Sequence, residues 1–391
     1  MNKVFIVSAL RTPIGSFAGK LSKISAVTLG SKAIKACLND INLDVNFIDE
    51  VFMGNVLSAN LGQAPARQAS LLAGLSNSTP CTTINKVCAS GMKAVMIGAQ
   101  SIMLGHNDIV VAGGMENMSS VPYYSDSLRF GKRLGDNKMI DGLLKDGLTD
   151  VYNNIHMGLC AEQCAEEMNF SREQQDEFAL NSYLKSTNAW TKGNFKNEVI
   201  PVEFEIKKNQ FLKIEKDEEF SKLDVEKFKN LRTAFKTNGT ITAGNSSKIN
   251  DGASAMILMS EKKINQLNLK PLAQIVSFSD HSQDPIWFTT SPTNASLKAL
   301  SKINLNINEI DFFELNEAFS VVGLANIKKL KINPNIVNVN GGAVSLGHPL
   351  GSSGSRIIVT LINVLRQKNG KYGLASICNG GGGGSAIILK K

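Results

Sequence analysis

Asn85-Lys86-Val87-Cys88-Ala89-Ser90-Gly91-Met92-Lys93-Ala94 is the stretch that decides the fold of this 391-residue chain. Upstream, Cys81–Asn85 reads as a strand with β-branched residues. Downstream, Met92, Val95, Met96, Ala99, Ile102 and Met103 recur at helical spacing and predict a helix over Ala89–Leu104. Cys88 then falls on a strand-to-helix turn, near the positive end of a helix dipole, which favours the nucleophilic thiolate. An isolated cysteine is more often a small core residue. The elbow, and three loops further along the chain, set this one apart.

Working outward, short β-rich runs alternate with helix-like stretches. Val4–Ser8 and Glu50–Met53 read as strands, Val27–Leu38 as a helix, and Ile109–Ala112 as a strand closed by Gly113-Gly114. The C-terminal third repeats the plan. Ala273–Ser277, Asp311–Glu314, Ile336–Asn340 and Ala375–Cys378 read as strands, Ser296–Ile303 and Gly354–Leu365 as helices. The alternation predicts a layered α/β fold with a buried, mostly parallel sheet. Asp49 and Asp311 lie 262 positions apart, Asn55 and Asn316 261, and the Ser90-Gly91 and Ser353-Gly354 pairs 263. A near-constant offset with matching element order predicts two similar βαβ-type halves. The halves are 1–118 plus 250–270, and 271–391. Residues 119–249 break the rhythm and read as an inserted loop domain lying over one face of the core.

Hydrophobic residues make up 43% and charged residues 19%, values of a globular protein with a sizeable core. A disordered chain, a collagen-like repeat and a disulfide-stapled scaffold are excluded. No stretch approaches the roughly 18 apolar residues of a membrane span. Val4–Leu10, closed by Arg11, reads as a strand rather than a secretory leader. Net charge is +8. Many lysines fall in Lys207–Lys229 among Glu215, Asp217, Glu218 and Glu219, the pattern of a solvated face rather than a nucleic-acid stripe. The six cysteines, Cys37, Cys81, Cys88, Cys160, Cys164 and Cys378, form no C-x-x-C pair, and with four histidines no zinc spacing appears. A cytoplasmic protein with reduced thiols and no metal is expected.

Three further loops carry chemistry. Gly341-Gly342-Ala343-Val344-Ser345-Leu346-Gly347-His348-Pro349 presents His348 from a glycine-framed turn, as a general base requires. Cys378-Asn379-Gly380-Gly381-Gly382-Gly383-Gly384 lies too near the C-terminus to precede a phosphate-binding helix, so its amides read as oxyanion donors beside Cys378. Asn316-Glu317-Ala318-Phe319 offers an amide side chain to hold a water or a carbonyl.

Together these segments resemble the thiolase family, in its biosynthetic acetyl-CoA acetyltransferase branch, from Val4 to the C-terminus. The motifs are N-K-V-C-A-S-G-M-K-A at 85–94, N-E-A-F at 316–319, G-G-A-V-S-L-G-H-P-L-G at 341–351 and C-N-G-G-G-G at 378–383. The resemblance implies a thiolase fold with layers α-β-α-β-α. It implies interconversion of two acetyl-CoA with acetoacetyl-CoA and free coenzyme A, through an acetyl-cysteine. Cys88 would carry the acetyl group, His348 would activate it, and Cys378 would move the α-proton. His348 with a water on Asn316 would form one oxyanion site, and the N–H groups of Cys88 and Gly380 the other.

Leu148, His156, Met157, Phe235, Ala243, Ser247, Ala318 and Phe319 would contact coenzyme A, the only cofactor, as substrate and product. A homotetramer with no nucleic-acid or membrane partner is also implied. Three departures stand out: Phe220 with Lys222 where the family often has an arginine against the adenine, Lys248 after Gly244-Asn245-Ser246-Ser247, and Phe288 where bacterial members commonly carry methionine. The alternatives are a 3-ketoacyl-CoA thiolase of broader chain length and a catalytically silent acyl-CoA or lipid binder.

Overall fold

Strand β1 (Val4–Arg11) is apolar on both faces because helices cover both of them. Val4, Ile6 and Ala9 point into a central layer, while Val7 packs under α1 (Ala26–Asp40) on the outside. The computed structural model describes residues 1–391, the side chain of Ile206 excepted. The other main strands are β2 (Glu50–Gly54), β3 (Cys81–Ile84), β4 (Ile109–Asn117), β5 (Asn250–Ser260), β6 (Ala273–Ser282), β7 (Phe312–Leu315), β8 (Tyr372–Asn379) and β9 (Gly383–Lys390). They run in the order β7-β8-β9-β6-β1-β5-β4-β2-β3, and Gly15–Ser16 adds a short strand beside β5.

The order holds one pattern twice, β2-β4-β5-β1 and β7-β8-β9-β6, with β3 an additional edge strand on the first. β3-β2-β4-β5-β1 and β7-β8-β9-β6 meet at an antiparallel seam where Val4, Phe5 and Ile6 face Ile275, Gln274 and Ala273. Asp49 accepts from the N–H groups of Asp108 and Ile109, and Asp311 from those of Lys371 and Tyr372. The repeat seen in the sequence is thus the same strand-entry clasp made twice. The sheet is mixed rather than mostly parallel: only β2–β3, β2–β4 and β7–β8 are parallel. Strands β5, β6 and β9 return beside their neighbours in antiparallel ladders.

The central layer holds α3 (Ser90–Met103) and α8 (Leu350–Lys368), with both halves of the sheet packed on them. Helix α8 is buried from Leu350 through Leu365. Its small first turns admit close backbone contact: a Cβ on Gly354 would stand 2.5 Å from Met92 N, and one on Gly91 2.5 Å from Ser355 Oγ. The repeated Ser-Gly pairs therefore mark the crossing of the two central helices. Helices α1 and α2 (Pro65–Leu72) cover one outer face, and α6 (Ser291–Ser301) the other. The layering is α-β-α-β-α.

Two local expectations are corrected. Gly113-Gly114 do not end their strand, which runs on to Asn117. They stand where a Cβ on Gly113 would strike Ser254 O and one on Gly114 would strike Gly351 O. Ile336–Asn340 is not a strand. Val337 makes one bridge to Phe313, and the Asn338 side chain then substitutes for backbone, pairing with the N–H and C=O of Leu315 at 2.8 Å each.

Between β4 and β5 the chain leaves the sheet. It forms small hairpins, α4 (Met157–Glu167) and the capped α5 (Arg172–Thr191), which returns to α7 (Ser320–Leu330) and Ala343–Leu346. Among the described residues no helix is long and apolar enough to cross a membrane.

Candidate active site

Between the end of β3 and the start of α3, Val87 adopts φ +47°, a conformation that β-branched residues avoid at a cost of about 1–3 kcal/mol. The strain is held from both sides. Lys86 N–H donates to Ser90 Oγ (2.8 Å) and the Ser90 hydroxyl donates to Val87 O (2.6 Å). From the other half, Asp280 takes Lys86 Nζ at 2.5 Å and Lys93 Nζ at 2.7 Å. The elbow turns Cys88 into a cavity of about 440 Å³, where its surface stays partly open.

The ionisation expected from the helix dipole is corrected. Burial pushes the Cys88 thiol up to about 12, against the pull of the Gly380 and Cys88 N–H groups on its sulfur. The resting group is a thiol.

His348 enters the same cavity from the loop before α8. Its N–H donates to Asn250 Oδ1 (2.8 Å). Its Nδ1 lies 2.6 Å from Ser353 Oγ, and that hydroxyl donates to Pro349 O at 2.9 Å. With the serine proton committed, Nδ1 carries the imidazole hydrogen and Nε2 keeps its lone pair. Nε2 is buried and has no protein partner. Burial, with Arg356 adding to it, lowers His348 to about 3, so the ring is a neutral base.

Gly380 reaches the cavity from the turn between β8 and β9, and Asn379 Nδ2 pins its carbonyl at 2.8 Å. Cys378 stands behind the lining in a cluster with Met157, Phe288, Ala318 and Phe319. Burial and then the nearness of Cys88 raise its thiol well above the ordinary value. Asn316 is not among the lining residues; it follows β7, and its side-chain oxygen and nitrogen are both buried without a protein partner.

The proposed coenzyme A contacts Leu148, His156, Met157, Phe235, Ala243, Ser247, Ala318 and Phe319 all line the cavity, as does Phe288. His156 Nδ1 accepts from Gly158 N–H (3.0 Å) at the start of α4, and its ring stacks on Phe235 at 4.6 Å. Phe319 meets Phe235 edge-on at 6.1 Å, completing an aromatic wall. Phe220 does not reach this cavity; it stacks on Trp190 at 5.6 Å, while Lys222 lines the mouth.

Several supporting residues escaped the sequence reading. Ser353 sets the histidine tautomer. Asn250 and Glu116 fix the loop around it; Glu116 accepts from the N–H groups of Val56, Leu57 and Gly351 and from Asn55. Of these, only Ser353 gave a local signal, five residues after His348.

Residues 4–262 match the thiolase N-terminal domain, and residues 269–391 the thiolase C-terminal domain. The chain is 52% identical over 390 residues to the acetyl-CoA acetyltransferase of Schizosaccharomyces pombe, covering 100% of this chain and 99% of that protein. It is 53% identical over 392 residues to the mitochondrial acetyl-CoA acetyltransferase of Bos taurus, covering 100% and 92%. The Acat5 thiolase from Ascaris suum, solved in complex with coenzyme A, superposes with a TM-score of 0.94 at 46% identity, with both chains covered completely. With both domains matched in order along nearly its whole length, the chain belongs to the thiolase family.

Proposed function

We propose that the chain is an acetyl-CoA C-acetyltransferase, which interconverts two acetyl-CoA with acetoacetyl-CoA and free coenzyme A. The observation that carries this reading is one cavity holding a thiol at Cys88, an unpartnered imidazole nitrogen at His348 and the Gly380 turn, with a second thiol, Cys378, against its wall. Full-length likeness to relatives named acetyl-CoA acetyltransferase supports it.

The chemistry follows from the groups present. As the Cys88 sulfur attacks the acetyl carbonyl, its proton passes to His348 Nε2, and coenzyme A leaves as a thiol by taking the Cys378 proton, which leaves Cys378 a thiolate able to act as a base. The oxyanion formed on the way is met by the N–H groups of Cys88 and Gly380. A second acetyl-CoA then loses an α-proton to Cys378, and its enolate oxygen is met by His348 and a water held on the free Asn316 amide. The enolate carbon attacks the acetyl-Cys88 carbonyl, the C–S bond breaks as the Cys88 sulfur takes back its proton from His348, and acetoacetyl-CoA forms. The neutral thiol and imidazole suit this sequence, because each proton moves only as charge develops.

Coenzyme A is carrier and product in this reading, its pantetheine arm lying along the wall of Leu148, His156, Phe235, Ala243, Ser247 and Phe319. The nucleophile belongs to the half made of 1–118 and 250–270, the base and second thiol to 271–391, and the carrier contacts largely to the insert, 119–249. The insert exposes Phe130 and Leu134, each 91% accessible, beside the Tyr123–Tyr124 hairpin. Such apolar exposure suits contact between copies in a homotetramer. All six cysteines stand free, as a reducing cytoplasm would keep them.

Intact-mass spectrometry after mixing with acetyl-CoA tests the reading. One acetyl group on Cys88 is expected in the native chain and in Cys378→Ala, and none in Cys88→Ala. Cys378→Ala should acetylate yet fail to condense. Equal loss of acetylation in both variants overturns the division of labour. Faster thiolysis of 3-ketodecanoyl-CoA than of acetoacetyl-CoA would favour the broader thiolase, against the closure by Met157 and Phe288.

A further inference from the structure

The loop Thr240–Ile249 forms one wall of the cavity, and its outline is set by polar contacts rather than by a helix or strand. Asn245 is the central pin. Its side chain takes Thr242 N–H (2.8 Å) and donates to Asp176 (2.8 Å) and Thr240 O (3.1 Å). Its carbonyl takes Ser320 N–H (2.8 Å), and Ser247 N–H donates to Ala318 O (3.0 Å). The carbonyls of Ala243 and Ser246 have another partner. Among the described residues, each accepts only from the Lys248 ammonium, Ser246 O at 3.0 Å.

The Lys248 head has no salt bridge among the described residues; Glu219 acts on it only at longer range. The face of Tyr183, on α5, lies 6.0 Å from Nζ. Neutral carbonyl oxygens and an aromatic face, without a carboxylate, are the surroundings in which proteins hold a monovalent cation. Burial lowers the Lys248 group to about 8, since no close anion offsets the loss of water. A lysine whose purpose was to reach an anion in the cavity would not spend its donors on two carbonyls of its own loop.

We propose that the Lys248 ammonium is a tethered monovalent cation, which draws the Ala243 and Ser246 carbonyls together under Tyr183 and so positions the loop wall against the carrier. This deepens the functional reading and rests on the cavity taking a coenzyme A thioester. Lys248 is a positioning residue. Removing its side chain leaves a carbonyl nest that a free cation of ammonium size fills, whereas an apolar side chain of similar length blocks it.

The experiment compares native enzyme, Lys248→Ala and Lys248→Met in acetoacetyl-CoA thiolysis, in sodium, potassium or ammonium chloride at one ionic strength. The native enzyme should give the same KM and kcat in all three salts. In sodium, Lys248→Ala should show a KM for coenzyme A raised about ten-fold with kcat little changed, the loss of charge-assisted contacts that order the loop. Potassium or ammonium should restore that KM in Lys248→Ala and leave Lys248→Met impaired.

An alanine variant with native KM overturns the proposal, and so does one whose defect no cation relieves, which would mean that Lys248 touches substrate directly. Should Lys248→Ala not fold in sodium, thermal melting in the three salts reads the same effect; unfolding in all of them also overturns it. A native chain inactive in every salt would instead sink the acetyltransferase reading.

Discussion

Ser353 Oγ lies 2.6 Å from Nδ1 of His348 and gives its own proton to the Pro349 carbonyl, so the imidazole donates at Nδ1 and stays bare at Nε2. The tautomer needed for accepting the Cys88 proton is therefore set one helical turn into α8. Ser353→Ala removes the acceptor and frees the ring to take the other tautomer. Its acetylation rate should fall about ten-fold, the worth of one orienting hydrogen bond, with KM nearly unchanged. Stopped-flow acetylation of Cys88 measures this, and an unchanged rate would assign the tautomer to another group.

The pH response follows from two opposed shifts. Cys88, pushed up to about 12, keeps its proton at any pH well below that value, and His348, held near 3, stays unprotonated at any pH well above it. Single-turnover acetylation should thus show no step from Cys88 or His348 across the window from about pH 5.5 to 8.5; groups beside the site that do titrate inside it include Glu116, raised to about 7 by burial, and Lys248, lowered to about 8. A sigmoidal step centred near neutrality that persists in Glu116→Gln would reveal a thiolate–imidazolium pair in its place.

Met157 and Phe288 pack with Cys378 at the closed end of the cavity. Met157→Ala opens that end, and thiolysis of a 3-ketooctanoyl substrate relative to acetoacetyl-CoA should rise about ten-fold or more, in line with 1–3 kcal/mol per accommodated methylene. Competition assays with the two substrates in one vessel give the ratio directly. No change would place the acyl chain elsewhere.

At the crossing of α3 and α8 there is no room for a methyl group. A Cβ on Gly354 would meet the Met92 N and Cβ at 2.5 and 2.9 Å, and backbone cannot swing aside as a side-chain tip can. Gly354→Ala should cost about 1–3 kcal/mol of stability, the usual range for overpacking, and lower the melting temperature accordingly. Gly74→Ala, with open space around its Cβ position, is the control; its cost comes only from φ +98°. Equal losses at both sites would show that the helix crossing yields.

Much of this was legible because the chemistry is local. Cys88 stands out through the strand before it and the helix after it, and the second copy of the fold through Asp49 and Asp311, which perform the same clasp. What stayed hidden depends on partners remote in sequence. Asn250 and Glu116 look like ordinary polar residues until the fold brings them to loops 98 and 235 positions later. Gly113-Gly114 read as a strand end because a glycine pair signals a turn, and nothing local announces that Gly351 will press against it. The thiolate expectation failed for a related reason. A dipole can be read from a motif, whereas burial depends on the β8–β9 turn closing over the sulfur.

The seam between β1 and β6 has a consequence for how the molecule is made. During synthesis Val4–Arg11 emerges long before its two neighbours in the sheet, which arrive only with residues 254–275. A sticky segment must wait without its sheet partners while 243 further residues are made, the circumstance in which slow, non-local pairing invites aggregation. Nascent copies of this chain are natural clients for chaperones that shield an unpaired β segment.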